Sequence, residues 1–252
     1  MNLTLHGKIG NIPASQVVVA IEKKPPYRIR IRGKVNEVSF YGPNLSIWTE
    51  ISTIPGSSAF RISDVLTNHG NFDEEFQIIY HANFGKPLLG KGAKFLTASN
   101  KIVPFNENAA KAISEQEAYA APTKGFTEEV FKIYPKSDED GIATALLINP
   151  DGNRGVSVSW PLQQLPYLTQ WKNTASEKTG YVTGIEPGTG FPHNRNYERK
   201  YGRVPKLAPG ESRSFKLDFL ILDNLDAVEA ASSEVKRLQG EEAPEVQNKP
   251  EE

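Results

Sequence analysis

Tyr27-Arg28-Ile29-Arg30-Ile31-Arg32 alternates apolar or aromatic residues with arginine. Period-two alternation puts one set of side chains on each face of an extended chain, so the stretch predicts a half-buried antiparallel strand. Runs rich in β-branched and aromatic residues flank it at 17–22, 35–41, 45–52 and 59–66, separated by Lys23-Lys24-Pro25-Pro26, Gly42-Pro43-Asn44 and Pro55-Gly56-Ser57. Proline sets φ and glycine frees it, which is what tight reversals need. Short strands punctuated in this way predict a sandwich or barrel rather than alternating helices and strands.

The pattern continues downstream. A run at 76–84 carries His81, and further strand candidates lie at 128–134, 143–148, 155–160, 165–171, 180–185 and 215–222. Asn149-Pro150-Asp151-Gly152-Asn153 reads as a hairpin connection between two of them. Residues 106–120, rich in Ala, Glu and Lys, predict a short helix or an ordered excursion. Beyond Asp223 the period changes: Leu225, Val228, Val235 and Leu238 share one helical face, with Asn224 or Asp226 as the N-cap. From 239 to 252 the chain is acidic, contains proline and holds few large apolar residues, which predicts a disordered tail after a single domain at 1–238.

The chain of 252 residues has 29 basic and 30 acidic side chains and no cysteine. Near-neutral charge offers no basic field for nucleic acid. The lack of thiols removes disulfides, thiolate nucleophiles and zinc–thiolate sites, and permits a reducing compartment. No run has the length of a membrane span and Met1-Asn2-Leu3-Thr4-Leu5-His6 does not read as a leader, so a soluble cytoplasmic protein is expected. Gly85-Lys86-Pro87-Leu88-Leu89-Gly90-Lys91 matches the start of a phosphate-binding loop, but Gly92 stands where a Ser or Thr would hold magnesium and no helix pattern follows.

Chemistry concentrates in 184–195, Gly-Ile-Glu-Pro-Gly-Thr-Gly-Phe-Pro-His-Asn-Arg. A strand-like approach, Tyr181-Val182-Thr183, runs into a turn dense in glycine and proline and places Glu186 where the two meet, on a rigid lip. The carboxylate there is either a structural acceptor of backbone hydrogen bonds or a reactive group. The four histidines, His6, His69, His81 and His193, show no metal-ligand spacing, so no metal is predicted. A His with a carboxylate from a distant strand is the simpler acid–base arrangement.

Leu5-His6-Gly7-Lys8-Ile9-Gly10-Asn11, Tyr80-His81-Ala82-Asn83-Phe84-Gly85 and Gly184-Ile185-Glu186-Pro187-Gly188-Thr189 occur in that order. With Leu168-Thr169-Gln170-Trp171-Lys172 and Leu207-Ala208-Pro209-Gly210-Glu211 they resemble an uncharacterised branch of the aldose 1-epimerase, or galactose mutarotase-like, superfamily. The resemblance implies an all-β fold, a large antiparallel β-sandwich (the galactose mutarotase-like supersandwich) with a short C-terminal helix, abbreviated at its N-terminus or a fragment. It implies Glu186, His81 and His6 as catalytic residues, with Asn68-His69-Gly70 a competing fit for the His81 segment. Lys8 stands where this branch more often has Arg.

The implied chemistry is ring opening and reclosure of a sugar with Glu186 as base, His81 as acid and His6 on a hydroxyl or the ring oxygen; it needs no cofactor. Asn11, Gln77, Lys172 and Arg195 are candidate hydrogen-bonding partners of sugar hydroxyls, and Trp171 a stacking face. Core packing is the alternative for Trp171, and loop bracing for Arg195. A carbohydrate-binding or sensor module without catalysis, and an isomerase or lyase acting on a modified sugar, remain alternatives on the same residues.

Overall fold

The computed structural model describes residues 6–251. In chain order the strands and helices begin with β1 (Gln16–Ile21), β2 (Ile29–Val38), β3 (Asn44–Thr53), β4 (Ala59–Asn68), β5 (Glu74–Glu75) and β6 (Ala82–Phe84). Next come β7 (Lys94–Thr97), β8 (Ser99–Pro104), α1 (Glu107–Lys111), β9 (Glu129–Pro135), β10 (Ile142–Ile148), β11 (Gly155–Pro161), β12 (Tyr167–Thr174) and β13 (Tyr181–Gly188). The last are α2 (Arg195–Lys200), β14 (Lys206–Leu207), β15 (Ser212–Leu222), α3 (Leu225–Gln239) and β16 (Glu245–Val246). They form two compact units: the chain up to Ile78 with Pro192–Asp218, and Ile79–Phe191 with the chain from Phe219 onward.

In the first unit β1 to β4 form an antiparallel meander, β1 against β2, β2 against β3 and β3 against β4. The arginine face of β2 meets carboxylates on both sides: Arg30 donates to Glu22 at 2.5 Å, and Arg30 and Arg32 each lie 3.6 Å from Glu50 of β3. The antiparallel strand predicted from the alternation is present, but Ile31 on the apolar face is 51 % exposed, so this end is open rather than half-buried. The runs at 27–32 and 35–41 join into one strand through Gly33, whose missing Cβ would meet Ala14 only at an ordinary 3.6 Å. Asn68 is buried, donates to the carbonyls of Phe72 and Leu207 at 2.8 and 2.9 Å, and accepts from the Gly70 N–H at 2.8 Å. With His69 Nε2 2.8 Å from Ser46 Oγ, Asn68-His69-Gly70 is a braced turn at the end of β4.

In the second unit β7, β10 and β11 pair antiparallel, and a second sheet runs in the order β16-β8-β9-β12-β13-β6. The hairpin between β10 and β11 is the predicted one: Asn149 Oδ1 accepts from the N–H groups of Asn153 and Arg154 at 3.0 Å each, and Gly152 takes φ +71°. Phe95, Phe131, Ile133, Leu146, Leu147, Val158, Leu168 and Ile185 form the core. Full burial of such side chains is worth about 2 kcal/mol each. The helix predicted after Asp223 is α3, capped by Asn224, whose side chain accepts from the Ala227 N–H at 2.8 Å, and it packs Val228 and Val235 onto Ala98, Leu146, Ile148 and Leu222.

One feature of this unit departs from what composition suggested. The stretch 239–252, expected to be disordered, supplies β16, which pairs parallel with β8 through Glu245↔Lys101 and Val246↔Ile102. Backbone pairing at 245–246 and the ion pairs of Glu245 and Glu251 stand there in place of the apolar side chains whose scarcity suggested disorder. The segment resembling a phosphate loop connects β6 to β7, strand to strand, and no helix follows it, as the sequence pattern indicated.

Candidate functional site

Glu186 does not sit on a lip. Strand β13 continues past it, pairing Pro187 with Leu168 and Gly188 with Tyr167, and the Pro187 carbonyl accepts from the Tyr80 N–H at 2.9 Å. A proline and a glycine at a strand end read as a turn because proline cannot donate, but its carbonyl still can be laddered. Glu186 is therefore part of the sheet and only 3 % exposed.

Register fixes what surrounds it. Glu186 pairs with Thr169, Gly184 with Trp171 and Asn83, and Trp171 with Val130. Alternation then puts Glu186, Gly184, Thr169, Trp171, Asn83 and His81 on one face. His81 Nε2 lies 3.1 Å from Glu186 Oε1, and the imidazole meets the Trp171 ring edge-on with centroids 5.5 Å apart. Trp171 Nε1 donates to Glu128 Oε2 at 2.6 Å, which holds a second carboxylate beside the first. Gly184 leaves room for this rotamer of Glu186: a Cβ there would stand 2.2 Å from Oε1 and the carboxylate would have to shift.

The electrostatics are those of a reactive carboxyl. Burial, and after it the charge of Glu128, push the Glu186 carboxyl up from 4.5 to about 8. His81 Nε2 is within reach at 3.1 Å, and Glu186 Oε1 is a buried acceptor that no hydrogen bond satisfies. Buried acceptors left in this state are rare in folded proteins, and they concentrate where a ligand or a moving proton completes the geometry.

The other expected residues divide between the two units. In the first, His6 and Asn11 are exposed around the 3-10 turn Ile9–Asn11, and Arg195 Nε donates to Gln77 Oε1 at 3.1 Å. In the second, Lys172 belongs to the opposite face of β12 from Trp171; it is 3 % exposed, 3.1 Å from Glu129 and donates to the Glu115 carbonyl at 3.0 Å. Strand alternation alone separates Trp171 from Lys172, so adjacent residues of one motif serve different faces. Glu128 and Thr169 were not singled out from the sequence. Both lie two residues from a residue on the site face, which is the signal that would have found them. Among the described residues no group of three or more His, Cys, Asp or Glu could hold a metal, and no helix is long and apolar enough to cross a membrane.

Comparison with known proteins extends this picture. A family model described as a domain of unknown function, DUF4432, matches residues 1–221. The crystal structure of a candidate aldose 1-epimerase from Klebsiella pneumoniae is similar over 98 % of this chain, with a TM-score of 0.96 and 44 % identity. The match spans 64 % of that longer chain. A galactose mutarotase-like protein from Clostridium acetobutylicum matches with a TM-score of 0.60 and 16 % identity, covering 86 % of this chain and 69 % of its own. A galactose mutarotase related enzyme from Lactobacillus acidophilus gives 0.60 and 15 %, covering 89 % and 76 %. No curated protein matches. The fold is thus galactose mutarotase-like, a mostly-β sandwich of antiparallel sheets, as the sequence resemblance implied.

Proposed function

Since the chain belongs to the DUF4432 family, we propose that it interconverts the α and β anomers of an aldose by proton transfer through Glu186 and His81. The observation that carries this reading is a buried carboxyl, raised to about 8, with an imidazole nitrogen 3.1 Å away. Likeness to the Klebsiella pneumoniae protein supports it. A fold of this kind hosts many activities, so the weight rests on the side chains.

In mutarotation the anomeric hydroxyl loses a proton while the ring oxygen gains one. The C1–O5 bond breaks as the C1=O bond forms, and rotation about C1–C2 lets the hydroxyl re-add to the other face. Both oxygens are bonded to one carbon, so an acid and a base in mutual contact can serve them together. Glu186 as carboxylate takes the proton of the anomeric hydroxyl; His81 in its protonated form gives one to the ring oxygen. The pair then holds the same single proton in the opposite distribution, and reclosure runs the transfers backwards. A carboxyl near 8 exists in both its protonated and its ionised form around neutral pH, which is where general acid–base catalysis is most efficient. Trp171 offers an aromatic face to the C–H surface of the ring.

The test is proton exchange NMR of a panel of neutral aldoses with the protein. Faster exchange between anomeric signals for at least one sugar is expected. A sugar that binds without faster exchange makes the chain a binding module and contradicts the proposal.

A further inference from the structure

Among the described residues three cations are buried: Lys132 at 0 %, Lys172 at 3 % and Arg203 at 5 % exposure. Burying an ammonium without a counter-charge costs several kcal/mol, so each needs a carboxylate. For two of them the framework supplies it. Lys172 pairs with Glu129, its direct register partner on β9, and Arg203 makes two 2.8 Å hydrogen bonds to Glu198, five residues away. Lys132 is different. Its carboxylate comes from Glu251, beyond β16, at 2.6 Å.

The same carboxylate accepts from the Tyr134 hydroxyl at 3.4 Å and forms an ion pair with Lys101 Nζ at 3.7 Å, a cation that also lies 3.8 Å from Glu245. Lys101 pairs in register with Tyr134, and Lys132 stands two residues from Tyr134 on β9, so all three project from one face. It is the face of Glu186, because Lys132 pairs with Thr169 and Thr169 with Glu186 in a row across β9, β12 and β13. Two interstrand spacings, about 10 Å between Cα atoms, separate the ends of that row. In its middle Thr169 is 1 % exposed and its hydroxyl has no hydrogen-bond partner.

We propose that Lys132, Lys101 and Tyr134 form an anion subsite of the sugar-handling face, that the substrate is an aldose carrying a negatively charged group such as a carboxylate, and that Glu251 occupies the subsite in its absence. The inference rests on the sugar reading above and deepens it. A pyranose laid along the row presents its anomeric centre to Glu186, a hydroxyl to Thr169 and its acid group to the two ammonium groups. Glu251 mimics that acid group and is displaceable because a peripheral segment, tied by the two-residue strand β16, carries it.

Titration calorimetry with D-glucuronate and D-glucose on the whole chain tests this. Glu251→Gln is expected to bind glucuronate at least tenfold more tightly than the native chain, with glucose changed less than twofold. Adding Lys132→Gln removes that gain; should the buried substitution unfold the chain by circular dichroism, Lys101→Gln in the same background must cut the gain at least threefold. No gain in Glu251→Gln, an equal gain for both sugars, or a gain that survives loss of both lysines overturns the proposal. Anomer exchange on the same samples keeps the two ideas apart: a glucuronate gain without catalysed exchange contradicts the function proposed above and leaves the anion subsite standing.

Discussion

Replacing Glu186 by glutamine should stabilise the protein, and by more as the pH rises. The carboxyl is 3 % exposed and pushed from 4.5 to about 8, first by burial and then by Glu128. Below about 4.5 both folded and unfolded chains hold the proton, and the group costs nothing. Above that the unfolded chain releases it while the folded chain keeps it until about 8, so rising pH favours unfolding. Each pH unit in the interval corresponds to about 1.4 kcal/mol and the whole interval to about 5 kcal/mol, an order-of-magnitude ceiling. Glutamine keeps the shape and cannot ionise. Urea unfolding of both chains from about pH 5 to about pH 9, followed by tryptophan fluorescence, should show the glutamine chain gaining a few kcal/mol over that range. Parallel stability curves would mean that Glu186 ionises like a surface carboxyl, and the site argument would lose its electrostatic basis.

Other consequences follow from the same geometry. Gly184→Ala places a Cβ against the movable end of Glu186, so it should lower turnover of a good aldose at least tenfold while thermal unfolding shifts little; an active alanine chain would show that the carboxylate needs no such position. Glu128→Gln removes the repulsion that helps raise Glu186, so the rising limb of the pH–rate profile should move to lower pH; an unmoved or alkaline-shifted limb would contradict the pairing of the two carboxylates. Glu129→Ala strands buried Lys172 and should cost about 3 kcal/mol of unfolding free energy by denaturant titration, whereas a change under about 1 kcal/mol would contradict the buried pair.

How much of this was legible in the sequence depended on which interaction decided each feature. Alternation at Tyr27–Arg32 and the Asn149–Asn153 turn are local signals, and both produced the expected elements. Asn224 as a cap is equally local. Proline and glycine misled where tertiary pairing overrode them: β2 runs through Gly33 and β13 through Pro187, because a neighbouring strand supplied the ladder. The contact between His81 and Glu186 is one the family resemblance implied, yet the raised carboxyl depends on burial and then on Glu128, both of which follow from register. Lys172 was a candidate partner of sugar hydroxyls, and the pleat sends it to the face opposite Trp171, onto Glu129. Lys132 stands in the apolar run Val130-Phe131-Lys132-Ile133, where a lone cation is itself a signal. Its partner Glu251 lies 119 residues away and is invisible to any local pattern.

The central claim is that one proton passes between a sugar and the pair Glu186 and His81. The most direct measurement is the polarimetric relaxation of a freshly dissolved single anomer, catalysed by the native chain and by Glu186→Gln at equal sugar occupancy. General acid–base catalysis contributes about a hundredfold to ten-thousandfold, so the account predicts that the glutamine chain still binds the sugar and loses at least a hundredfold in rate. Equal rates from the two chains would contradict it.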